Sequence, residues 1–326
     1  MNNYSVIEKF LHRSVLSSQY MREVLFDVEQ AMFLKKEYNF DDDHVFIAGL
    51  ARSGSTILLN TIYQSNQFAS LTYEDMPFIL APNLWEKISP KKNHSRSQER
   101  VHGDGIKIST NSPEAFEEIF WKTFNHNSKN RHELFIKFIS LILKKNHKSR
   151  YLSKNNQNIR RLDLVSDIFP DSKILIPFRD PMQQAMSLFT QHRRFIKKQN
   201  NDTFVRNYMK WIGHSEFGVD YQMIYANDLF YPDHMDCNHW LEQWYLTYNS
   251  IFELTAKHKN LHIICYESLC NNPKVWINIK DLLSIKQSTG SKFLETKKVI
   301  NEDFDENLSE KCYGLYRSIS SKAFGE

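Results

Sequence analysis

The chain has 326 residues, enough for one large domain with insertions or for two small ones. A hydrophobic fraction of 41%, with 23 Phe, 15 Tyr and 6 Trp, can build a sizeable core, while only 9 Gly and 9 Pro exclude a low-complexity or disordered architecture. The balance of 42 basic against 38 acidic residues, a net charge of +4, is too even to support nucleic-acid binding, although a local basic site for an anion stays open. Four cysteines form no C-x-x-C pair and read as buried free thiols. No basic segment with a following apolar run opens the chain, and the most apolar stretch, Leu134 to Leu143, is too short to cross a bilayer. A cytoplasmic protein without a transmembrane segment is expected.

In chain order, residues 1–40 read as a helical segment with Val24, Leu25, Val28 and Met32 at helical spacing. His44 to Leu50 reads as the first strand, Ser55 to Gln64 as a helix, and Ala69 to Tyr73 as the second strand. Pro82 to Gly105 is polar and rich in turn residues, so a surface loop is expected. Ser112-Pro113-Glu114 is a helix start, followed by helix to Phe124 and a second helix from His132 to Lys145. Further on come a short strand at Tyr151 to Ser153, a helix at Asn158 to Phe169, a strand at Lys173 to Phe178 and a helix from Met182 to Ile196. Pro177 must lie near its strand's end, since it removes a ladder donor. Asn238 to Lys257 carries a core-facing apolar stripe, Leu261 to Tyr266 is the last clear strand, and Pro273 to Leu283 is a helix. Alternating strands and helices predict an α/β fold, three-layered, with a central parallel sheet and a helical insertion at residues 75–146, all in one domain spanning 1–326.

Two stretches carry chemistry. Gly49-x-x-x-x-Gly54-x-Thr56 has the spacing of a phosphate-binding loop, but Ser55 replaces the lysine and Arg52 sits inside the turn. A strand, a glycine turn and a helix N-terminus present backbone N–H groups to an anion. Ser53, Ser55 and Thr56 add short donors, and Arg52 adds a fork matched to phosphate or sulfate oxygens. The alternative is an ordinary strand-to-helix turn. The second stretch is Lys173 to Phe195, where the strand ends in Arg179 rather than in a magnesium-holding aspartate. Arg179 thus lies at the usual ligand crevice of an open α/β sheet, with Ser187 two turns into the next helix. Taken alone, Arg179 reads as a structural partner of Asp180 or another acid.

Together these stretches resemble the sulfotransferases that use 3′-phosphoadenosine 5′-phosphosulfate (PAPS). Gly49-Leu50-Ala51-Arg52-Ser53-Gly54-Ser55-Thr56 is similar to the loop that grips the 5′-phosphosulfate, and Arg179-Asp180-Pro181 with Ser187 to the segment that grips the 3′-phosphate. The strand at "RYLSK" and the later "CYESLCNNP" add to the likeness, which spans His44 to Pro273. The resemblance implies sulfuryl transfer to an acceptor hydroxyl, with a carbohydrate on a glycan as first expectation and no metal. It implies cofactor-binding roles for Arg52, Ser53, Gly54, Ser55, Thr56, Arg179 and Ser187. Lys154 is implied to stabilise charge, and Glu74 to act as base with a pKa raised by burial. Asp75 and His102 are its competitors. A P-loop kinase and a non-catalytic nucleotide-binding protein are the alternatives. His234-x-Asp236-Cys237-x-His239 has ligand-type residues but lacks a second cluster to complete a tetrahedral metal site. Oligomeric state is left open.

Overall fold

The computed structural model describes residues 6–34, 43–89, 98–99, 107–126, 130–226, 229–286, 293–295, 297 and 299–325. The strands in chain order are β1 (Val45–Ile47), β2 (Phe68–Ala69), β3 (Gln98–Glu99), β4 (Lys107–Ile108), β5 (Arg150–Lys154), β6 (Lys173–Phe178) and β7 (Leu261–Cys265). Five of them form one sheet in the order β2-β5-β1-β6-β7, and every pairing in it is parallel. β3 and β4 make a separate antiparallel ribbon.

β1 shows why the sheet lies in the middle of three layers. Val45, Phe46, Ile47 and Ala48 are all fully buried, so neither face of the strand meets water. Val45 and Ile47 pack with Leu58, Leu59 and Ile62 of the helix Ser55–Tyr63 and with Val275 and Ile279 of the helix Pro273–Leu282. Phe46 and Ala48, pointing the other way, join Phe135 and Ile139 of the helix Arg131–Asn146 and Leu188 of the helix Pro181–Asn201. The strand period of two therefore separates the helices into two layers.

Pro177 occupies the central strand β6 without breaking a ladder bond. Leu175 accepts from Ala48 N, so the odd-numbered residues of β6 face β1, and Pro177 faces the point where the chain has already left the sheet at Gly49. No donor is required there. The proline carbonyl instead accepts from Tyr248 Oη at 3.0 Å. A Cβ at Gly49 would stand 2.9 Å from that same oxygen, which keeps the position open to glycine alone.

Several elements differ from expectation. The second strand stops at Ala69, and Tyr73–Asp75 is a 3-10 turn. Ser112 and Pro113 open no helix: Pro113 bridges Thr72, Glu114 N donates to Leu71 O, and helix begins only at Glu118. Part of the expected surface loop is the helix Pro82–Ile88. The N-terminal segment forms two helices, Val6–Leu16 and Gln19–Phe33, and the second turns the unexpected face inward. Val24, Val28 and Met32 are exposed, whereas Arg22, Phe26, Glu29 and Phe33 are buried. Glu29 explains the choice of face, since its carboxylate accepts from Asn83 N (2.8 Å) and Leu84 N (2.9 Å) at the start of the helix Pro82–Ile88. Helices at Thr203–Trp211 and Glu306–Ser320 complete the fold. Among the described residues no helix is long and apolar enough to cross a membrane.

Candidate active site

The chain leaves β1 toward β2 on one side of the sheet and leaves β6 toward β7 on the other. The carboxyl ends of the adjacent β1 and β6 thus form the topological switch point, where open parallel sheets place their ligand crevice. Three basic residues meet at this edge. Arg52 lies in the turn after β1, Arg179 directly follows β6, and Lys154 ends β5 opposite Ile47. Lys154 and Arg179 are 8% and 6% exposed, so two cations are drawn out of water at one edge of the sheet. Buried cations of this kind call for anionic company.

The turn after β1 is strained in a way that fixes its amides. Arg52 has φ 69° and Gly54 has φ 91°, both in the left-handed region. A Cβ at Gly54 would sit 2.3 Å from the ring of Tyr266, so only glycine fits between that ring and the helix start. No side chain caps Ser55–Tyr63 at Gly54, and Ser53, Ser55 and Thr56 are buried alongside.

Side chains from β6's helix reach back to hold this turn. Arg52 Nε donates to Ser187 Oγ at 3.1 Å, and Gln184 Nε2 donates to the Ala51 carbonyl at 3.0 Å. Gln184 is itself held by Trp244 Nε1 on its Oε1. Arg179 is set by Glu267, whose Oε1 lies 3.6 Å from Arg179 Nε and accepts from Asp180 N at 3.0 Å. Asp180 caps its helix by accepting from Gln183 N, and Tyr313 Oη donates to its other oxygen. Tyr316 Oη donates to Glu267 Oε2. Burial pushes the Glu267 carboxyl above its ordinary range, with the Asp180 amide and Arg179 pulling the other way.

Lys154 is placed by a polar cluster at its back. Asn155 N donates to Ile47 O, tying the end of β5 to β1, and Asn155 Nδ2 donates to Glu118 Oε2 at 2.9 Å. Glu118 takes a two-pronged bond from Arg161 Nη2, at 2.6 and 2.8 Å. Desolvation raises the Glu118 pKa, and the Arg161 charge opposes the rise.

The acceptor-side carboxylates behave differently from expectation. Glu74 is exposed, where burial was expected. Asp75 is buried and committed to structure: Oδ2 accepts from Thr72 N at 2.7 Å, and Oδ1 pairs with Lys145. His102 lies outside the described residues. The histidines near residue 234 are engaged with one another and with the backbone. His192 Nδ1 accepts from Gly218 N, which leaves its Nε2 to donate to His234 Nδ1 at 3.0 Å. His239 Nδ1 donates to the Tyr231 carbonyl at 2.7 Å and its Nε2 accepts from Tyr221 Oη. Among the described residues no group of three or more His, Cys, Asp or Glu is placed to hold a metal.

The structure brings Arg52, Ser53, Gly54, Ser55, Thr56 and Ser187 together, with Arg179 and Lys154 at the flanking strand ends. Sequence reasoning missed Glu267, Tyr313, Tyr316 and Glu118. The two tyrosines ride on the helix Glu306–Ser320, whose Leu308, Cys312, Leu315 and Ile319 repeat at helical spacing behind the cap Asp305, a readable signal. Glu267 lies inside the quoted "CYESLCNNP", whereas nothing local marks Glu118.

A glycine turn and three basic residues at the carboxyl edge of a parallel sheet are the parts of an anion-binding α/β transferase. The chain belongs to the sulfotransferase family, whose model matches residues 44–234. Among solved structures it is similar to the sulfotransferase STF1 from Mycobacterium tuberculosis H37Rv, with 9% identity, 95% of this chain and 81% of that one covered, and a TM-score of 0.46. The sulfotransferase STF9 from Mycobacterium avium gives 10%, 97%, 79% and 0.47. A sulfotransferase domain from the curacin biosynthetic pathway gives 15%, 86%, 99% and 0.40. No curated protein matches.

Proposed function

We propose that the protein moves a sulfuryl group from PAPS to an acceptor hydroxyl on a carbohydrate. The observation that carries this reading is the Arg52–Ser187 hydrogen bond, which makes one site of two motifs. Backbone N–H groups of the turn, with the hydroxyls of Ser53, Ser55 and Thr56, receive the 5′-phosphosulfate, and Gly54 admits it closely. Arg52 adds a planar fork, and Arg179 with Ser187 receives the 3′-phosphate. Lys154 meets the charge that builds on the leaving phosphate as the S–O bond breaks.

Two residue choices favour this donor over a magnesium-bound triphosphate. Ser55 stands where a triphosphate loop needs lysine, and β6 ends on Arg179 where a metal-holding aspartate is needed. Arginine, lysine and amides then carry the donor's charge. The carbohydrate acceptor is assigned to the crevice beside the turn, lined in part by Tyr221, Trp240, Gln157 and Gln243.

Calorimetric titration with adenosine 3′,5′-bisphosphate, in the presence of EDTA, tests the donor site. Wild type is expected to bind it, and Arg52→Ala and Arg179→Ala are expected to weaken it by roughly 10- to 100-fold each. Absence of binding, with magnesium-dependent uptake of ATP instead, would overturn the proposal in favour of a kinase.

A further inference from the structure

A small crevice opens against the anion turn, lined by Ala51, Leu188, Trp240, Gln157 and Glu216 among others. Glu216 is the carboxylate in that lining. Its side chain is 13% exposed, and its Oε2 lies 3.1 Å from His214 Nδ1. That oxygen is buried, and its contact with the His214 ring has ion-pair distance without hydrogen-bond geometry. A carboxylate kept largely out of water and set against one imidazole is held in place at the crevice wall it lines.

The segment bearing Glu216 is fixed relative to Lys154 by two independent contacts. Gln157, three residues past Lys154, donates through Nε2 to Ser215 Oγ at 3.2 Å. Gly213, with φ 76°, lies so close to Glu118 that a Cβ there would meet Glu118 Cγ at 2.6 Å. Glu118 is also the residue that holds Asn155, directly after Lys154. His214 is held flat against Phe195, with centroids 5.8 Å apart and an interplanar angle of 22°, so its Nδ1 stays beside Glu216. The anion turn, the Lys154 strand end and Glu216 thus share one rigid frame.

We propose that Glu216 is the acceptor-side base of the sulfuryl transfer, with His214 as the residue that positions it. The inference rests on the reading of the protein as a PAPS-dependent sulfotransferase. As the acceptor oxygen forms its bond to sulfur, its O–H bond breaks and the proton passes to the Glu216 carboxylate. The S–O bond to the 5′-phosphate breaks, and that electron pair stays on adenosine 3′,5′-bisphosphate. Charge and atoms balance without an oxidant or a metal. Position within the crevice, and not mere acidity, distinguishes Glu216 from the exposed Glu74.

The test uses full-length protein, labelled PAPS, and water or a panel of 4-nitrophenyl glycosides as acceptors. Titration with adenosine 3′,5′-bisphosphate runs in parallel. Glu216→Gln is expected to lower kcat at least 100-fold while the bisphosphate Kd stays within twofold of wild type. Glu216→Ala is expected to regain at least tenfold of that loss on addition of formate, a carboxylate small enough for the vacated space. His214→Ala should lower kcat about tenfold with donor KM unchanged, and His214→Asn, which keeps a donor beside Glu216, should restore part of it. Full turnover by Glu216→Gln, or loss confined to Glu74→Gln, overturns the assignment. A Glu216→Gln protein that loses bisphosphate affinity tenfold or more also overturns it, because the crevice would then belong to the nucleotide. Wild type that fails to bind the bisphosphate sinks the donor reading itself, a separate outcome.

Discussion

Arg52 Nε donates to Ser187 Oγ across 3.1 Å, although the two residues stand 135 positions apart. One lies in a left-handed turn at the end of β1, the other two turns into the helix that follows β6. The bond spans the switch point of the sheet and ties the two motifs to each other. Ser187→Ala removes a neutral acceptor and is expected to weaken adenosine 3′,5′-bisphosphate about 3- to 10-fold. Calorimetry of Arg52→Ala, Ser187→Ala and the double variant should show the two losses to be non-additive, since each disturbs the same contact.

Gly54 combines a φ of 91° with a ring 2.3 Å from its missing Cβ. Gly54→Ala therefore incurs both backbone strain and overpacking, together about 3 kcal/mol by urea unfolding. Tyr266→Ala in the same chain relieves only the clash. The double variant should recover part of that loss and still bind the bisphosphate poorly, because the turn's amides remain displaced.

Glu29 joins the N-terminal helix to the helix Pro82–Ile88 through Asn83 N, Asn83 Nδ2 and Leu84 N. Glu29→Ala leaves three donors without that acceptor, two of them main-chain. A loss of about 1 to 3 kcal/mol is expected in denaturant unfolding. Bisphosphate affinity should stay unchanged, since none of these groups reaches the carboxyl edge of the sheet.

His192 is fully buried, and burial, with His234 and His239 nearby, pushes its pKa down to about 4. Its ordinary value is near 6.5, so between those limits the unfolded chain binds a proton that the folded chain refuses. The contribution is intact above about pH 6.5 and is lost as pH falls toward about 4. His262 is lowered to about 4 as well, mainly by burial, and acts in the same window. Urea unfolding of wild type and His192→Asn at pH 7 and pH 4.5 should converge by on the order of 2 kcal/mol at the lower pH.

Much of this architecture was legible because a few local patterns are hard to satisfy otherwise. An apolar run into Gly49, and another into Arg179, each ended a buried parallel strand, and both turns landed at one edge of the sheet. Failures came where tertiary partners overrode local pattern. The stretch Leu71 to Tyr73 alternates like a strand, yet Thr72 spends its pairing on Pro113, and Asp75 closes a turn instead. Val24 and Val28 make an apolar stripe, but a buried Glu29 with three donors outweighed it. Proline at 113 looked like a helix start because serine precedes it; the strand-like contact with Thr72 claims that geometry first. Glu118 carries no local signature, since it owes its place to Asn155 and Arg161 farther along the chain.

The ion pair between Asp75 and Lys145 closes the chain on itself where it departs after β2 and where it comes back before β5. Those two strands are neighbours, so the stretch between them begins and ends at the same spot on the molecule. The same stretch carries Phe135 and Ile139, which pack behind β1, and Glu118, which holds Asn155 beside Lys154, so those parts are bound to the core and the site. A protein engineer who grafts between the two anchors must therefore keep Glu118 and the helix Arg131–Asn146 in place.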